Sequence, residues 1–114
     1  MDIFPIINRC YETYKLLIIL NGGLSKKMRY SLGTSIENNT LELLDLLILA
    51  KNAPKPMKAA YLLKSSSLLE VIVLKLRLFL ELKLANETNI FKLQEILAEI
   101  GRMLGGWLKA TQST

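Results

Sequence analysis

The chain has 114 residues, of which 51% are apolar and 22% are charged, and its formal net charge is +5. This length predicts one domain, residues 1–114, and the composition excludes a disordered chain and a disulfide scaffold. The chain contains one cysteine and no histidine, which argues against a zinc centre and excludes an intramolecular disulfide or a histidine-based catalytic site.

The apolar pattern also disfavours membrane crossing and secretion. The longest apolar runs, such as residues 16–20, contain five residues, whereas a membrane-spanning helix needs roughly 18 or more. The N-terminal MDIFPIINRC has no basic segment ahead of an apolar core. We therefore predict neither a transmembrane segment nor a signal peptide.

Proline and glycine divide the chain into long segments with helical periodicity. The first predicted helix covers about residues 3–20, tolerates Pro5 in its first turn, and ends at the helix-stop sequence Asn-Gly-Gly at 21–23. The second starts after Ser25, whose side chain suits an N-cap, and continues to about residue 51.

The second half of the chain predicts two further helices. A proline-containing break at 52–56 precedes a third helix at about 57–85, and a fourth follows at about 90–111, with Thr88 or Asn89 as its N-cap. No segment alternates with period two, and short connections favour antiparallel neighbours. We therefore predict an all-α fold, an antiparallel up-down-up-down four-helix bundle.

The third helix contains more apolar residues than one buried stripe requires. From residue 59 to 85, 18 of 27 residues are apolar, and the segment LELLDLLILA at 41–50 is similarly rich. Excess apolar surface of this kind marks interfaces, so we predict a homo-oligomer. An amphipathic association with a membrane is the alternative, but it needs a strongly polar opposite face, which is weak in the third helix.

The segment EIGRMLGGWLK at 99–109 contains two stripes at helical spacing. The apolar stripe is formed by Ile100, Leu104, Trp107 and Leu108, and the stripe of small residues by Ala98, Gly101 and Gly105, with Gly106 beside it. Each glycine in a helix interior costs roughly 0.5–1 kcal/mol relative to alanine. The glycines therefore predict close packing of another backbone on this face, and a broken, non-helical tail is the alternative.

Two groups of residues could suggest catalysis, and neither is favoured. Cys10 lies on a predicted apolar stripe without a histidine base, which favours a small core residue over a nucleophile. Glu95 and Glu99 are one helical turn apart, but Lys92 and Arg102 flank them, so a solvated ion-pair face explains them better than acid–base chemistry. We predict that the protein is not an enzyme and uses no cofactor, metal or small-molecule substrate.

An antiparallel bundle would bring the start of the second helix, the end of the third and the start of the fourth to one end. The basic residues gathered there are Lys26, Lys27, Arg29, Lys75, Arg77, Lys83 and Lys92, against Glu81 and Glu87. A positive end predicts a polyanionic partner, most simply nucleic acid. The alternative is that these residues only solubilise the protein.

Within the third helix, Lys64 and Lys75 are the favoured contacts for phosphate. They align on one side of the helix to within about 20°, without an acidic neighbour, whereas Arg77 is compensated by Glu70 and Glu81. A solvated surface charge is the alternative for each lysine.

Lys26 and Lys27 offer a second way to hold a phosphate. They lie at the predicted start of the second helix, where free backbone N–H groups also attract anions. No RNP-type or KH-type signature is present, so any binding should depend on the nucleic-acid backbone and shape rather than on bases.

Four segments together resemble a known family. They are KKMRYSLGTSIEN at 26–38, LELLDLLILA at 41–50, LRLFLELK at 76–83 and EIGRMLGGWLK at 99–109. In this order they are similar to the accessory variability determinant (Avd) proteins of diversity-generating retroelements, within the wider group of four-helix-bundle proteins that includes the 23S ribosomal RNA intervening-sequence proteins. The resemblance covers nearly the whole chain from Leu24 onward, and GRMLGGWL is its most specific part.

The resemblance implies a pentameric, ring-like assembly of four-helix bundles that binds the retroelement's reverse transcriptase and its template RNA, and could extend to DNA or cDNA. Such a protein is a non-catalytic, cytoplasmic partner, encoded by a bacterium, an archaeon or a phage, and is needed for cDNA synthesis in mutagenic retrohoming. Matches to basic positions are Arg29, Lys64 and Arg77, and matches to the structural signature are Gly101, Arg102, Gly105, Gly106 and Trp107. Departures from basic positions of many relatives are Ser35, Val71 and Val73.

Two functions from different classes follow from these observations. The first is an accessory subunit that binds reverse transcriptase and RNA. The second is a structural protein–protein interaction bundle of the intervening-sequence type, without nucleic-acid binding. An enzyme that uses Glu95 or Glu99 is a third and weaker alternative.

Overall fold

The computed structural model describes residues 4–112, and four helices account for almost all of them. Helix α1 spans Pro5–Asn21, and helix α2 covers 26–52 without interruption, as Lys26–Met28, a π-helical segment at Arg29–Gly33, and Thr34–Asn52. Helix α3 spans Lys55–Glu81 and helix α4 spans Glu87–Gln112. The described part of the chain contains no strand, which confirms the prediction of an all-α fold.

Local signals determine where α1 and α2 begin and end. Pro5 is the first residue of α1, where its missing N–H is not needed for a helical hydrogen bond. The hydroxyl of Ser25 accepts a hydrogen bond from the backbone N–H of Met28 at 3.3 Å, so Ser25 is the N-cap that the sequence predicts. The predicted start of the first helix at residue 3 lies outside the described residues.

Helix α3 is displaced towards the N-terminus relative to its predicted range of 57–85. It begins at Lys55, because Pro54 and Pro56 suit the cap and first turn of a helix rather than only a break. It ends at Glu81, because Lys83 takes a left-handed φ of 54° and the chain turns there.

The N-cap of α4 also differs from the prediction. The side-chain oxygen of Asn86 accepts a hydrogen bond from the backbone N–H of Asn89 at 3.2 Å. Asn86 is therefore the cap, rather than Thr88 or Asn89, and α4 starts three residues earlier than predicted, at Glu87.

The π-helical segment within α2 was not predicted. Gly33 is buried at its end, and a Cβ atom there would come within 3.2 Å of both Asn21 and Leu24. The side-chain amide of Asn21 donates to the Gly33 carbonyl oxygen at 3.0 Å and to Glu37 at 2.6 Å. These contacts hold the end of α1 against the irregular turn of α2, and they join residues that sequence periodicity does not connect.

Each helix contributes to a single core. Helix α1 packs against α2 and α4, and α3 also packs against α2 and α4, in a molecule with principal dimensions of 48 × 28 × 22 Å. The largest fully buried side chains come from all four helices: Leu17, Ile36, Leu43, Leu47, Leu62, Ile72, Leu76, Phe79, Ile90, Leu93, Leu97 and Ile100.

Many large apolar side chains remain exposed outside this core, and α3 contributes the largest share. They are Phe4, Tyr11, Ile18, Ile19, Tyr30, Leu41, Ile48, Leu49, Met57, Leu63, Val71, Val73, Leu74, Leu78, Leu82 and Phe91. The exposed apolar surface is not arranged as a membrane span: across residues 4–112, no helix is both long and apolar enough to cross a bilayer.

Candidate nucleic-acid interface

A recess of about 410 Å³ joins two loops at one end of the molecule. Its lining comes from the end of α1, the α1–α2 loop, the α3–α4 loop and the start of α4: Leu16, Ile19, Leu20, Gly23, Leu84, Ala85, Asn86, Asn89, Lys92 and Leu93. The start of α2 follows Gly23 closely in the chain, and the end of α3 precedes Leu84. The predicted meeting of these three helix ends is therefore present.

Four lysines at this end have exposed side chains that are free to meet a ligand. They are Lys26, Lys27, Lys83 and Lys92, and we call them the lysine end. None of them forms a hydrogen bond or ion pair through its side chain within residues 4–112. Lys26 also lies in the first turn of α2, so the positive end of that helix dipole adds to the local potential.

Lys83 occupies a backbone position that normally favours glycine. Its φ of 54° is in the left-handed region, and it is the only described non-glycine residue with a positive φ. The N–H of the next residue, Leu84, donates to the carbonyl oxygen of Phe79 at 3.0 Å, which closes the end of α3. A long cationic side chain is thus present where a residue without a side chain would cost less backbone strain.

Two predicted arginine contacts are engaged within the protein. The guanidinium of Arg29 donates to the carbonyl oxygen of Gly22 at 3.2 Å, so it braces the α1–α2 loop. Arg77 forms an ion pair with Glu81 at 3.2 Å, as the charge pattern predicted, and both side chains are more than half exposed. Both arginines remain exposed at the surface, but neither is a free cation.

Lys75 has a structural role that the sequence did not predict. Its ammonium group donates to Asn39 Oδ1 at 2.6 Å and to the hydroxyl of Ser35, so it ties α3 to α2. Lys75 has no acidic partner, as predicted, but its ammonium group is already engaged by neutral oxygens, and its contact with phosphate stays a prediction. The partners are polar residues about 40 positions away in the chain, and helical periodicity on α3 carries no information about them.

Lys64 remains exposed and without a side-chain partner among residues 4–112. It lies roughly 25 Å along α3 from the C-terminal end of that helix, at 1.5 Å per residue. Lys64 therefore belongs to a separate part of the surface, and the structure does not bring it together with the lysine end.

The three departures from basic positions have different surroundings. Ser35 is half-buried and accepts the hydrogen bond from Lys75, so a cation at that position would face another cation. Val71 and Val73 are 39% and 40% exposed on α3. They add apolar surface where many members of the resembled family are expected to carry charge.

The glycines of α4 are not covered by another helix of the chain. A Cβ atom at Gly105 or Gly106 would meet nothing within 4 Å, and one at Gly101 would make only an ordinary contact of 3.6 Å with Leu69. The prediction of close backbone packing on these glycines is therefore wrong within one copy of the chain. The alternative of a broken tail is also wrong, since α4 continues as a helix to Gln112.

The apolar stripe of the same segment agrees with the prediction. Ile100 and Leu104 are buried, and Trp107 and Leu108 are half-buried against the core. The ring of Trp107 packs against that of Phe4 with centroids 5.2 Å apart and planes tilted by 55°. The tryptophan thus attaches the end of α4 to the start of α1 and has a structural role.

Cys10 is a core residue, as predicted. It is fully buried, and its thiol lies 3.8 Å from the carbonyl oxygen of Thr40. Burial raises the pKa of this thiol from 9.0 to about 12. A neutral thiol in the core is the opposite of an activated nucleophile.

Glu99 has a different partner from the one predicted. It forms an ion pair with Arg9 of α1 at 3.1 Å, and Arg9 also pairs with Glu12 at 3.0 Å. The Glu99 carboxylate, followed by Glu12, raises the pKa of Arg9. No ion pair joins Glu95 or Glu99 to Lys92 or Arg102 among the described residues, because the helix surface directs Glu99 towards α1.

Sequence reasoning gave too little weight to two residues at the lysine end. Lys92 was placed among the basic residues of this end but was not predicted to contact nucleic acid, although it lines the recess. Tyr30 is 68% exposed on the helical turn that follows Lys26 and Lys27, and an exposed aromatic ring among lysines is typical of surfaces on which bases stack. The interleaving of basic and aromatic residues in KKMRY is the signal that identifies Tyr30.

No group of three or more His, Cys, Asp or Glu residues in the described part of the chain is placed to hold a metal ion. No protein-family model matches the chain, and no curated protein is significantly similar to it. Its relation to the Avd group therefore stays a prediction based on the four quoted segments.

Proposed function

We propose that this protein is a non-catalytic accessory subunit of a diversity-generating retroelement, which binds the reverse transcriptase and its template RNA and supports cDNA synthesis in mutagenic retrohoming. The observation that supports RNA binding is the lysine end, where four lysines are exposed and one of them, Lys92, lines the recess. The proposal that the reverse transcriptase is a partner rests on the sequence resemblance alone.

The lysine end supports contact with the phosphate backbone. Lys26, Lys27, Lys83 and Lys92 are unpaired in the described chain, so they can neutralise phosphates and release counterions. Tyr30 adds a surface on which an unpaired base can stack. RNA recognition should therefore be strongly salt-dependent and weakly dependent on sequence.

The proposed assembly is a ring-like homo-oligomer, a pentamer by resemblance, of antiparallel up-down-up-down bundles in the cytoplasm. The cyclic order of helix contacts, in which α1 and α3 each pack against α2 and α4, supports the bundle. The exposed apolar side chains of α1, α2 and α3 support association between copies.

The test of RNA binding is the affinity of the nuclease-treated protein for structured RNA across a salt series. We expect log K to fall linearly with log salt, with a slope that corresponds to several released counterions. Absence of binding at low salt would remove nucleic acid from the proposed function.

The variant Lys83→Gly separates a functional lysine from a structural one. Glycine relieves the left-handed strain and should raise the free energy of unfolding by about 0.5–1 kcal/mol, while the loss of one phosphate contact should reduce the salt slope by about 1. The control is Lys15→Gln, an exposed lysine on α1, which should leave the slope unchanged. A more stable Lys83→Gly protein with unchanged RNA affinity would remove Lys83 from the interface.

The alternative function is a structural interaction bundle of the intervening-sequence type, without nucleic-acid binding. The engagement of Arg29, Lys75 and Arg77 within the protein favours it, because these cations already have partners. A gene for a reverse transcriptase and a template repeat beside the gene for this protein would favour the retroelement function, and their absence would favour the alternative.

A further inference from the structure

The side of α3 that points away from the core carries a second apolar stripe. Its large members are between 38% and 61% exposed: Leu63, Val71, Leu74, Leu78 and, just beyond the helix, Leu82. The exposed Ser67 lies in the same row. At 3.6 residues per turn, this row is centred roughly 180° from the buried stripe of α3. We call it the outer stripe.

The outer stripe is symmetric about the midpoint between residues 72 and 73. The pairs at equal distance from that midpoint are Val71 with Leu74, Ser67 with Leu78, and Leu63 with Leu82. When two copies of α3 lie antiparallel and share this midpoint, each residue faces the other member of its pair in the second copy. The stripe is therefore self-complementary over roughly 30 Å of helix.

The charges beside the outer stripe come close to the same symmetry, because Glu70 and Arg77 lie at equal distances from the midpoint between residues 73 and 74, one residue beyond the midpoint of the stripe. Glu70 and Arg77 are exposed on one flank of α3, and in an antiparallel helix pair the same flanks of the two helices meet. In the register of the stripe, Glu70 of one copy and Arg77 of the other are offset by two residues, about 3 Å along the axis, which these long side chains can span, twice in each pair of copies. The existing ion pair between Arg77 and Glu81 is exposed and weak enough to exchange.

We infer that the outer stripe of α3 is a two-fold contact between copies of this chain. The inference rests on the self-association in the proposed function but adds a contact that the ring itself does not use, because a five-membered ring closes through heterologous contacts. An isologous contact joins copies in pairs, so it produces a dimer, or a pair of rings if the proposed ring also forms through other faces. A second copy is the occupant, because the stripe and its charges complement themselves.

The first test is the mass of the protein in solution, measured by sedimentation at micromolar concentration. We expect an even number of copies for the natural protein and at least a 100-fold weaker pairing for Leu74→Glu, which places a charge beside the symmetry midpoint. The control is Leu49→Glu on α2, because Leu49 is 48% exposed but lies outside both the stripe and the recess. A natural protein with an odd number of copies, whether a monomer or a single pentameric ring, overturns the inference, as does a Leu74→Glu protein that still pairs.

The second test examines the register of the two helices. Glu70→Arg and Arg77→Glu should each weaken pairing about 10-fold, and the double variant should restore it. Mixed Val71→Cys and Leu74→Cys proteins should form a disulfide between copies under mild oxidation, without interference from the buried Cys10. Additive losses in the double charge variant, together with no disulfide, contradict this register.

Measurement of RNA affinity on the same variants keeps this inference separate from the RNA-binding function. Loss of pairing in Leu74→Glu with RNA binding retained supports the contact and leaves the lysine end as an independent site. RNA binding absent from the natural protein, with pairing intact, removes the RNA-binding function while the contact stands.

Discussion

The two sides of α3 carry the same kinds of residue in opposite surroundings. On the inner side, Ile72 and Phe79 are fully buried, whereas on the outer side Leu63 and Leu74 are 52% and 61% exposed. Helix α4 differs, because its buried residues form one stripe and glycines occupy part of its open side. The apolar content of α3 thus indicates how much apolar surface the helix has. Which side of α3 is buried depends on where α2 and α4 pack against it.

The largest expected effect on stability comes from comparing Phe79 and Leu78, adjacent residues on the inner and outer sides of α3. Phe79→Ala should lower the free energy of unfolding by about 3–5 kcal/mol, because it leaves a cavity in the core. Leu78→Ala, whose side chain is 38% exposed, should cost less than about 1 kcal/mol in the monomer. Urea unfolding at low protein concentration measures both values, and equal losses would contradict the difference between the two sides.

Cys10 on α1 is also buried, and its burial predicts that the free energy of unfolding depends on pH. The thiol has a pKa of about 12 in the folded protein against 9.0 ordinarily, so only the unfolded chain ionises between these values. The free energy of unfolding should therefore be unaffected below pH 9 and fall as the pH rises towards 12, by up to about 4 kcal/mol from this group.

The comparison with Cys10→Ala isolates this effect, because the two proteins differ only at this residue. Unfolding in urea at several alkaline pH values should show a steeper loss of stability for the natural protein. Parallel curves for the two proteins would mean that the thiol is not held neutral by burial.

A smaller effect on stability should distinguish Lys75 from Lys64, which helical periodicity aligns on one side of α3. Lys75→Met should cost about 1–3 kcal/mol, because it removes charge-assisted hydrogen bonds to Ser35 and Asn39. Lys64→Met, at an exposed position, should change stability by less than about 0.5 kcal/mol. Thermal unfolding of the two variants provides the measurement, and the reverse order of stability would refute the bridge from α3 to α2.

The smallest effect concerns the open side of α4. Gly105→Ala should raise the free energy of unfolding by about 0.5–1 kcal/mol, because a Cβ atom there meets nothing within 4 Å. Gly33→Ala is the matched control and should be destabilising, since its Cβ atom would press on Asn21 and Leu24 at 3.2 Å. If Gly105→Ala lowers stability only where copies associate, the glycines pack against another copy.

Much of the fold could be predicted because its signals are local. Pro5, Ser25 and the two glycines after Asn21 act within one helical turn of their own positions, so helix number and most boundaries follow from the sequence. The π-helical turn of α2 could not be predicted in the same way. It depends on the contact of Gly33 with Asn21 on another helix.

The candidate site was only partly predictable, for a similar reason. The gathering of Lys26, Lys27 and Lys83 at one end was expected from the alternating helix directions that short loops predict. Whether a given cation is free depends on its neighbours in space. Arg29 donates a hydrogen bond to a loop carbonyl oxygen, and Lys75 donates to side chains of α2. The spacing of basic residues in the sequence does not indicate either hydrogen bond.

The sequence by itself predicted that this protein is all-helical, with its cysteine in the core and with more apolar residues in the third helix than one buried stripe requires. Tertiary structure alone decided which stripe of α3 is buried, which lysines keep free side chains, and that Gly105 and Gly106 face open space. The physical reason is range. Caps, turns and helical periodicity act over a few residues, whereas burial and ion pairing depend on contacts between helices that are distant in the chain.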